Sequence, residues 1–214
     1  MLRKLLICAA LVAGSVSANA GPLLLDEGFD DLNLPDWYYA NLGNLGVQPW
    51  FQGNSGVFES QSGAPDSYVG INTLNGSPAG NVDAWLITPL LTVSSGVADL
   101  TFSTRTSGFV PGDSLQILVS NGNTLDLNSY VSLGIIAAGS FPADWTSFTF
   151  RYEGAAADVR FAFRYLVDDV TVHGDYIGID SVLVRDVPEP GTLALLAMGM
   201  LLTPLVLRRR RARI

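Results

Sequence analysis

The central part of the chain alternates apolar and polar residues with a period of two, and this pattern most constrains its fold. Large apolar side chains occupy every second position within residues 100–105, 113–120, 145–152 and 158–167. Successive side chains of a β-strand point to opposite faces, so the pattern predicts strands with one buried face. No segment of residues 21–186 shows a convincing helical period. The sequence therefore predicts an all-β domain.

Further strands are expected at residues 23–29, 56–61, 68–72, 83–87, 90–93, 130–135 and 176–184. Turn residues between about ten short strands predict an antiparallel two-sheet β-sandwich of the jelly-roll type. The aromatic-rich strands 145–152 and 158–167 are separated by five residues and are expected to form a hairpin. Irregular loops are expected at 41–56 and 72–81, where a sandwich commonly carries its binding residues.

The predicted domain, residues 21–186, is strongly acidic. It holds 19 Asp and Glu residues against five arginines and no lysine, a net charge of −14. The whole chain reaches only −8 because its two ends are basic. A domain of this charge lacks the phosphate-neutralising patch of a nucleic-acid-binding protein. The only cysteine is Cys8, so a domain without residues 1–20 depends on its apolar core rather than on disulfides.

The N-terminus has the layout of a Sec-type signal peptide, residues 1–20. Arg3 and Lys4 form a positive start, residues 5–16 are apolar, and Ala18 and Ala20 form a small-x-small cleavage site before a glycine. Cleavage is expected after Ala20. A buried N-terminal helix is the alternative, but it would not explain this order.

The C-terminus, residues 187–214, combines a short motif, an apolar span and an arginine cluster. Val187, Pro188, Glu189 and Pro190 precede an uncharged run of 16 residues, 192–207, and five arginines lie within 208–213. As a helix the run would be about 24 Å long, slightly shorter than a ~30 Å hydrocarbon core. A single-pass transmembrane helix with a cytoplasmic arginine end is therefore predicted. The alternative is a core helix of a soluble domain.

This order of motif, span and arginines resembles the PEP-CTERM sorting signal of Gram-negative bacteria. The resemblance implies recognition by an exosortase, a membrane enzyme that depends on a cysteine and would cut near Pro188–Pro190. It also implies an association with exopolysaccharide production. The expected path is export by the Sec machinery, a stay in the inner membrane, and then the cell surface or the extracellular space.

Three blocks of the predicted domain resemble the choice-of-anchor J domain, which is related to cleaved-adhesin and MAM-like jelly rolls. The blocks are Asp26–Asp30 with Trp37 shortly after, Ala84–Leu91 and Tyr176–Val184. The resemblance implies a β-sandwich surface module without known catalysis.

The residues speak against most enzyme classes. There is one histidine, no cysteine outside residues 1–20, and no G-x-S-x-G motif. The three glutamates of the domain are far apart in sequence, so a clustered glycosidase motif is absent. A non-catalytic binding or structural protein is expected, possessing no catalytic residues. The alternative is a polysaccharide-active enzyme using an Asp pair.

Calcium is the cofactor for which the residues offer ligands. Ca²⁺ binds carboxylate and carbonyl oxygens, and related jelly rolls often place it where the first strand meets the last. Glu27 and Asp180 would then be ligands. Strict alternation places Asp180 on one face with Tyr176, Gly178, Val182 and Val184. The alternative is that Asp180 accepts hydrogen bonds from the backbone amides of a loop.

Sugar binding is the other hypothesis for a ligand. Trp37 and Trp50 lie in or near the long loop and could stack on the rings of an extracellular polysaccharide. The alternative is that these rings close the core of the sandwich.

Overall fold

The computed structural model describes residues 21–44, 50–73, 80–108, 112–137, 139–174 and 176–188. Residues 21–188 form one compact unit. No helix among the described residues is long and apolar enough to cross a membrane. The signal peptide, the span 192–207 and the arginine cluster 208–213 lie outside the described residues, as do Glu189 and Pro190.

Thirteen strands make up the described fold. They are β1 (Leu23–Glu27), β2 (Tyr38–Asn41), β3 (Trp50–Gln52), β4 (Val69–Asn72), β5 (Val82–Ile87), β6 (Leu91–Val93), β7 (Val97–Thr106), β8 (Ser114–Val119), β9 (Val131–Ile136), β10 (Thr146–Glu153), β11 (Ala157–Val159), β12 (Phe161–Val167) and β13 (Tyr176–Asp186).

The strands form two main antiparallel sheets. The six-stranded sheet has the order β10-β7-β13-β4-β3, with β1 also paired to β13. The five-stranded sheet has the order β2-β5-β12-β8-β9, and β11 pairs with β6 in a small separate ladder. The predicted fold class, a two-sheet antiparallel β-sandwich, is confirmed.

The core lies between the inner faces of the two sheets, and aromatic rings fill its centre. Phe102 of β7 meets Phe163 of β12 edge to face at 4.9 Å between ring centroids. Phe148 and Phe150 of β10 stack beside Phe102 within the same sheet, at 6.1 and 6.0 Å. Alternation placed these rings on one face of each strand, as predicted.

The predicted hairpin between 145–152 and 158–167 is wrong. β10 pairs with β7 in the six-stranded sheet, whereas β12 pairs with β5 and β8 in the five-stranded one. The connection carries the chain from one sheet to the other, with β11 as a short ladder on the way. Both strands bury their aromatic faces in the same core, but from opposite sides, which alternation alone does not distinguish.

One predicted strand and one predicted loop also need correction. The predicted strand 56–61 is a series of turns and bends, and the predicted loop 41–56 contains β3. The predicted loop 72–81 holds residues 74–79, which lie outside the described set.

A β-bulge changes the inner face of β13. The pairing with β7 shifts between Asp180 and Leu183, and Ser181 has a positive φ of 53°. Ile177 and Ile179 face the core before the bulge. After it, Val182 and Val184 do so. Strict alternation had placed Val182 and Val184 on the same face as Asp180, and this prediction is wrong.

Candidate functional site

Asp180 lies fully buried on the outer face of the six-stranded sheet, where a loop covers it. One carboxylate oxygen, Oδ2, accepts hydrogen bonds from the backbone amides of Gln61 and Ser62, at 2.8 and 3.1 Å. The other, Oδ1, accepts from the amide of Ser181 at 2.5 Å. Burial raises the pKa of Asp180, and these amides oppose that rise. The carboxylate is thus an acceptor for loop amides.

The loop over Asp180 is residues 53–67, which we call the covering loop. Its Phe58 joins four other aromatic side chains in an aromatic cluster on the outer face of the six-stranded sheet: Phe51, Tyr68, Trp145 and Tyr176. The hydroxyl of Tyr68 donates to the carbonyl of Asn54 at 2.9 Å, and the indole of Trp145 donates to the carbonyl of Glu59 at 2.8 Å. Asp180 is therefore one of several groups that hold this loop on the sheet.

Glu27 lies at the end of β1, beside the same strand β13. Glu27 pairs with Val182 in the β1–β13 ladder, so it lies close to Asp180. Its Oε1 accepts a hydrogen bond from the amide of Phe29 at 2.8 Å. Burial raises the pKa of Glu27, and the neighbouring aspartates add to that rise. A raised pKa means that the hydrogen bond from the Phe29 amide does not fully offset the loss of hydration of the ionised carboxylate.

The arrangement offers little to a calcium ion. Both carboxylate oxygens of Asp180 already accept amide hydrogens, whereas Ca²⁺ needs six to eight oxygen ligands. Among the described residues, no group of three or more Asp, Glu, His or Cys side chains is placed to hold a metal. The conformation matches the alternative assignment of Asp180, and calcium binding through Glu27 and Asp180 stays a prediction.

Trp37 and Trp50 lie in the core. They are 7% and 2% exposed, and both belong to the main apolar cluster between the sheets. Trp37 meets Phe29 edge to face at 5.5 Å. A ring this deeply buried presents no face to a sugar, so the structure places both indoles as the alternative interpretation had them. Stacking by these two residues would require the core to open.

The outer face of the five-stranded sheet holds polar groups that sequence reasoning did not assign to a site. Arg160, just before β12, is only 7% exposed, and its guanidinium lies 4.8 Å above the ring of Tyr38. One terminal nitrogen, Nη1, donates to the carbonyl of Thr88 at 3.1 Å, while Nε is buried without a hydrogen-bond partner. Within the described ranges no carboxylate lies within 4.0 Å of this guanidinium.

Arg164 lies four residues further along the chain on the same face and is, by contrast, paired with a carboxylate. It forms two hydrogen bonds to the carboxylate of Asp83, at 2.8 and 2.7 Å, which raise the pKa of Arg164. The guanidinium also lies 5.0 Å from the ring centroid of Trp85, whose indole donates to Asp83 at 2.9 Å. Tyr130 covers Trp85 edge to face, and burial raises the pKa of Tyr130 to about 12.

We call the set of Tyr38, Arg160, Arg164 and Tyr130 the outer-face group. In the sequence, Arg160 and Arg164 alternate with the aromatic residues that β12 buries in the core, so a signal for this face was present. What the sequence could not supply is the difference between them. The side chain of Asp83 on β5 lies beside Arg164, whereas the described residues bring no carboxylate to within 4.0 Å of the Arg160 guanidinium.

The buried carboxylates of the described residues have structural partners. They are Asp83, Asp113, Asp180 and Asp186. Asp113 accepts from the hydroxyl of Tyr165 at 2.5 Å, and Asp186 accepts from the amide of Ser94 at 2.9 Å. A carboxylate held by fixed donors is a structural group rather than an acid or base facing a cleft.

The last described residues carry the start of the predicted sorting motif. Asp186 ends β13, Val187 donates its amide to the carbonyl of Val97 at 2.8 Å, and Pro188 is exposed. Ala18 and Ala20 of the predicted signal cleavage site lie outside the described residues.

Comparison with known proteins supports both the C-terminal sorting motif and the β-sandwich fold. The family model for the PEP-CTERM protein-sorting motif matches residues 186–211. No curated protein matches the sequence.

Among solved structures, the fold is similar to cleaved adhesin domains of the Lys-gingipain of Porphyromonas gingivalis W83. The K1 domain has a TM-score of 0.59 and 16% identity, covering 78% of this chain and 98% of that one. The K3 domain has a TM-score of 0.54 and 16% identity, covering 77% and 99%. At such identities the likeness concerns the fold alone. The chain therefore carries a PEP-CTERM sorting motif directly after a β-sandwich of the cleaved-adhesin type.

Proposed function

We propose that this chain is an exported, exosortase-sorted β-sandwich protein of the cell surface or extracellular matrix, with a binding or structural role and no catalytic one. The observation that carries the proposal is the sorting motif, matched over residues 186–211 at the end of the last strand. The basic and apolar segments at both ends support export by Sec and a temporary inner-membrane stage with a cytoplasmic C-terminus.

Mass spectrometry of the protein from its own host tests this proposal. The mature chain is expected to begin at Gly21 and to lack residues 208–213. Glu189→Ala should leave the full tail attached and keep the protein in the membrane fraction. Glu153→Ala, which removes an exposed acid on β10, is the matched control and should be processed normally. Extracellular protein that still carries Arg208–Arg213 would contradict the proposal.

We infer that the ligand of this module is the exopolysaccharide of the producing cell, bound on the outer-face group. Tyr38 is 36% exposed, and its ring centroid lies 4.8 Å from the guanidinium of Arg160. Arg160 itself is only 7% exposed, and no carboxylate of the described residues lies within 4.0 Å of it. An aromatic face next to a cation suits a sugar ring that carries an acidic group. Because the domain has five arginines against 19 acids, this cation is one of few places where an anionic polymer meets attraction.

Binding of the mature protein to purified host polysaccharide tests this inference. Tyr38→Ala should weaken binding by roughly fivefold, corresponding to about 1 kcal/mol of stacking and cation–π energy. Val172→Ala, which shortens an exposed apolar side chain on a loop, should leave binding unchanged. Equal affinity of wild type and Tyr38→Ala would remove this face from consideration.

The competing class is an enzyme that cuts the same polymer with an Asp pair. The structural partners of the four buried aspartates argue for the binding module. Incubation of the mature protein with the polysaccharide should release no reducing ends. Measurable release would favour the enzyme.

A further inference from the structure

The end of β13 is an interior part of the six-stranded sheet, with neighbours on both sides. Arg185 pairs with Asp99 of β7 on one side and with Leu23 of β1 on the other. The amide of Asp186 donates to the carbonyl of Pro22 at 2.9 Å. The amide of Val187 still donates to the carbonyl of Val97 at 2.8 Å, whereas Pro188 has no N–H to donate. The ladder therefore ends at Val187.

The side chain of Asp186 fastens this strand end to the turn before β7. Its Oδ2 accepts from the amide of Ser94 at 2.9 Å, and its Oδ1 accepts from the amide of Ser95 at 3.2 Å and from the Ser95 hydroxyl. The same hydroxyl oxygen accepts from the amide of Val97 at 3.0 Å. We call Asp186 with Ser94, Ser95 and Val97 the strand-end clasp. Asp186 is buried within it.

Gly21 packs against the backbone at the end of β13. A Cβ added at Gly21 would lie 1.5 Å from the carbonyl oxygen of Asp186 and 2.7 Å from Cδ of Pro188. No side chain fits there without moving the backbone. The first residue after the predicted signal cleavage site thus packs directly on the last residues before the sorting tail.

A protease holds its substrate as an extended strand and hydrogen-bonds to its main chain, as in strand addition. The main-chain groups of Asp186 and Val187 already donate within the folded domain. We infer that the folded sandwich sets the N-terminal limit of processing: the exosortase reaches the chain only from Pro188 onward, and the bond that it cuts lies C-terminal to Pro188. The inference rests on the proposed sorting function and specifies its site.

The chemistry of this step is ordinary acyl transfer. The carbonyl carbon of the cut bond passes from the backbone nitrogen to the cysteine sulfur of the exosortase, and the tail leaves with that nitrogen as an amine. Water or an amine acceptor then takes the acyl group and releases the thiol. The mature domain keeps the whole of β13, Asp186 and Val187 included, so processing leaves the sheet intact.

C-terminal mass analysis of the full chain processed in its host tests the limit. The wild-type product should end at Pro188 or beyond. A Gly-Ser-Gly-Ser spacer inserted between Val187 and Pro188 should raise the processing rate severalfold in a pulse-chase experiment, because the motif then stands clear of the sheet. Deleting Val187 draws the motif into the sheet and should lower the rate. A rate that is unchanged by both alterations would contradict the inference.

Variants of the clasp provide a second measurement. Asp186→Asn places an amide nitrogen against donors and should loosen the strand end, giving shorter and ragged C-termini. Asp158→Asn is the matched control, because it removes another carboxylate–hydroxyl pair, to Thr92 at 2.6 Å, next to the clasp but not part of it. Uniform wild-type products that end at Val187 or earlier would overturn this inference alone. A tail that is never removed would overturn the sorting proposal as well.

Discussion

A carboxylate buried in a sheet requires hydrogen-bond donors, and Asp180 has them in the covering loop. Its oxygens accept hydrogen bonds from the backbone amides of Gln61, Ser62 and Ser181. The residue that alternation and family resemblance brought forward as a ligand is thus, in this conformation, an anchor for the loop. The carboxylate oxygens of Asp180 are suited both to a metal ion and to loop amides, and the groups around them decide which they bind.

Asp180→Ala should destabilise the domain by about 2–4 kcal/mol, because three amides lose their acceptor and a cavity remains. Urea unfolding of the mature protein measures the free energy, and hydrogen exchange should show faster exchange of the Gln61 and Ser62 amides. Asp99→Ala is the control. It removes a more exposed ion pair with Arg151, and this change is expected to cost much less stability because water screens the pair.

Calcium titration of the wild type and of Glu27→Gln tests the calcium prediction. If Glu27 and Asp180 bound Ca²⁺, an excess of the ion would raise the melting temperature of the wild type but not of Glu27→Gln. An unchanged melting temperature in excess Ca²⁺ would leave Asp180 with its loop-anchoring role alone.

At the level of the element, the bulge in β13 separates two tasks of one strand. Before it, Tyr176, Gly178 and Asp180 face outward under the covering loop, and after it the inner positions resume with Val182. Gly178 is small for a steric reason. A Cβ there would lie 2.9 Å from the rings of Trp145 and Tyr68.

Gly178→Ala should therefore destabilise the domain by about 1–3 kcal/mol through overpacking of the aromatic cluster. The fluorescence of Trp145 should change with it, because its ring must shift. Gly28→Ala is the matched control, since a Cβ at Gly28 meets no atom within 4 Å. Equal melting temperatures of the two variants would show that the cluster yields easily.

At the level of the whole molecule, acidity opposes stability near neutral pH. Burial is the main cause that raises the pKa of both Glu27 and Asp180 in the folded state. Below the ordinary carboxyl pKa, near 4, their burial costs nothing. The cost of ionising them grows as the pH rises through the window up to their raised folded pKa values and is complete above it. Repulsion among the 19 acids acts in the same direction.

The melting temperature of the mature protein should thus fall as the pH rises from about 4 through the raised folded pKa values, and added salt should raise the melting temperature at pH 8. Glu27→Gln should reduce the pH dependence, since it removes one group with a raised pKa. A melting temperature that falls steadily from pH 8 to pH 5 would contradict this assignment.

The local pattern predicted most strands, because a strand with one buried face needs alternation wherever it lies. The expected strands 100–105 and 113–120 correspond to β7 and β8, and the inner aromatics of β12 face the core as expected. β2 and β3 were not predicted, since neither short segment, YYAN or WFQ, alternates apolar and polar residues. A strand this short owes its conformation to its neighbours in the sheet rather than to its own pattern.

The sequence by itself determined the fold class, the acidic and disulfide-free domain and the sorting motif, because these depend on composition and on residues adjacent in the chain. Only the tertiary structure decided which sheet receives β10 and β12, that Trp37 and Trp50 lie in the core, and that Asp180 meets the covering loop. These outcomes depend on pairing between residues far apart in the chain, where several arrangements satisfy the same alternation. Packing of the whole core selects one of them.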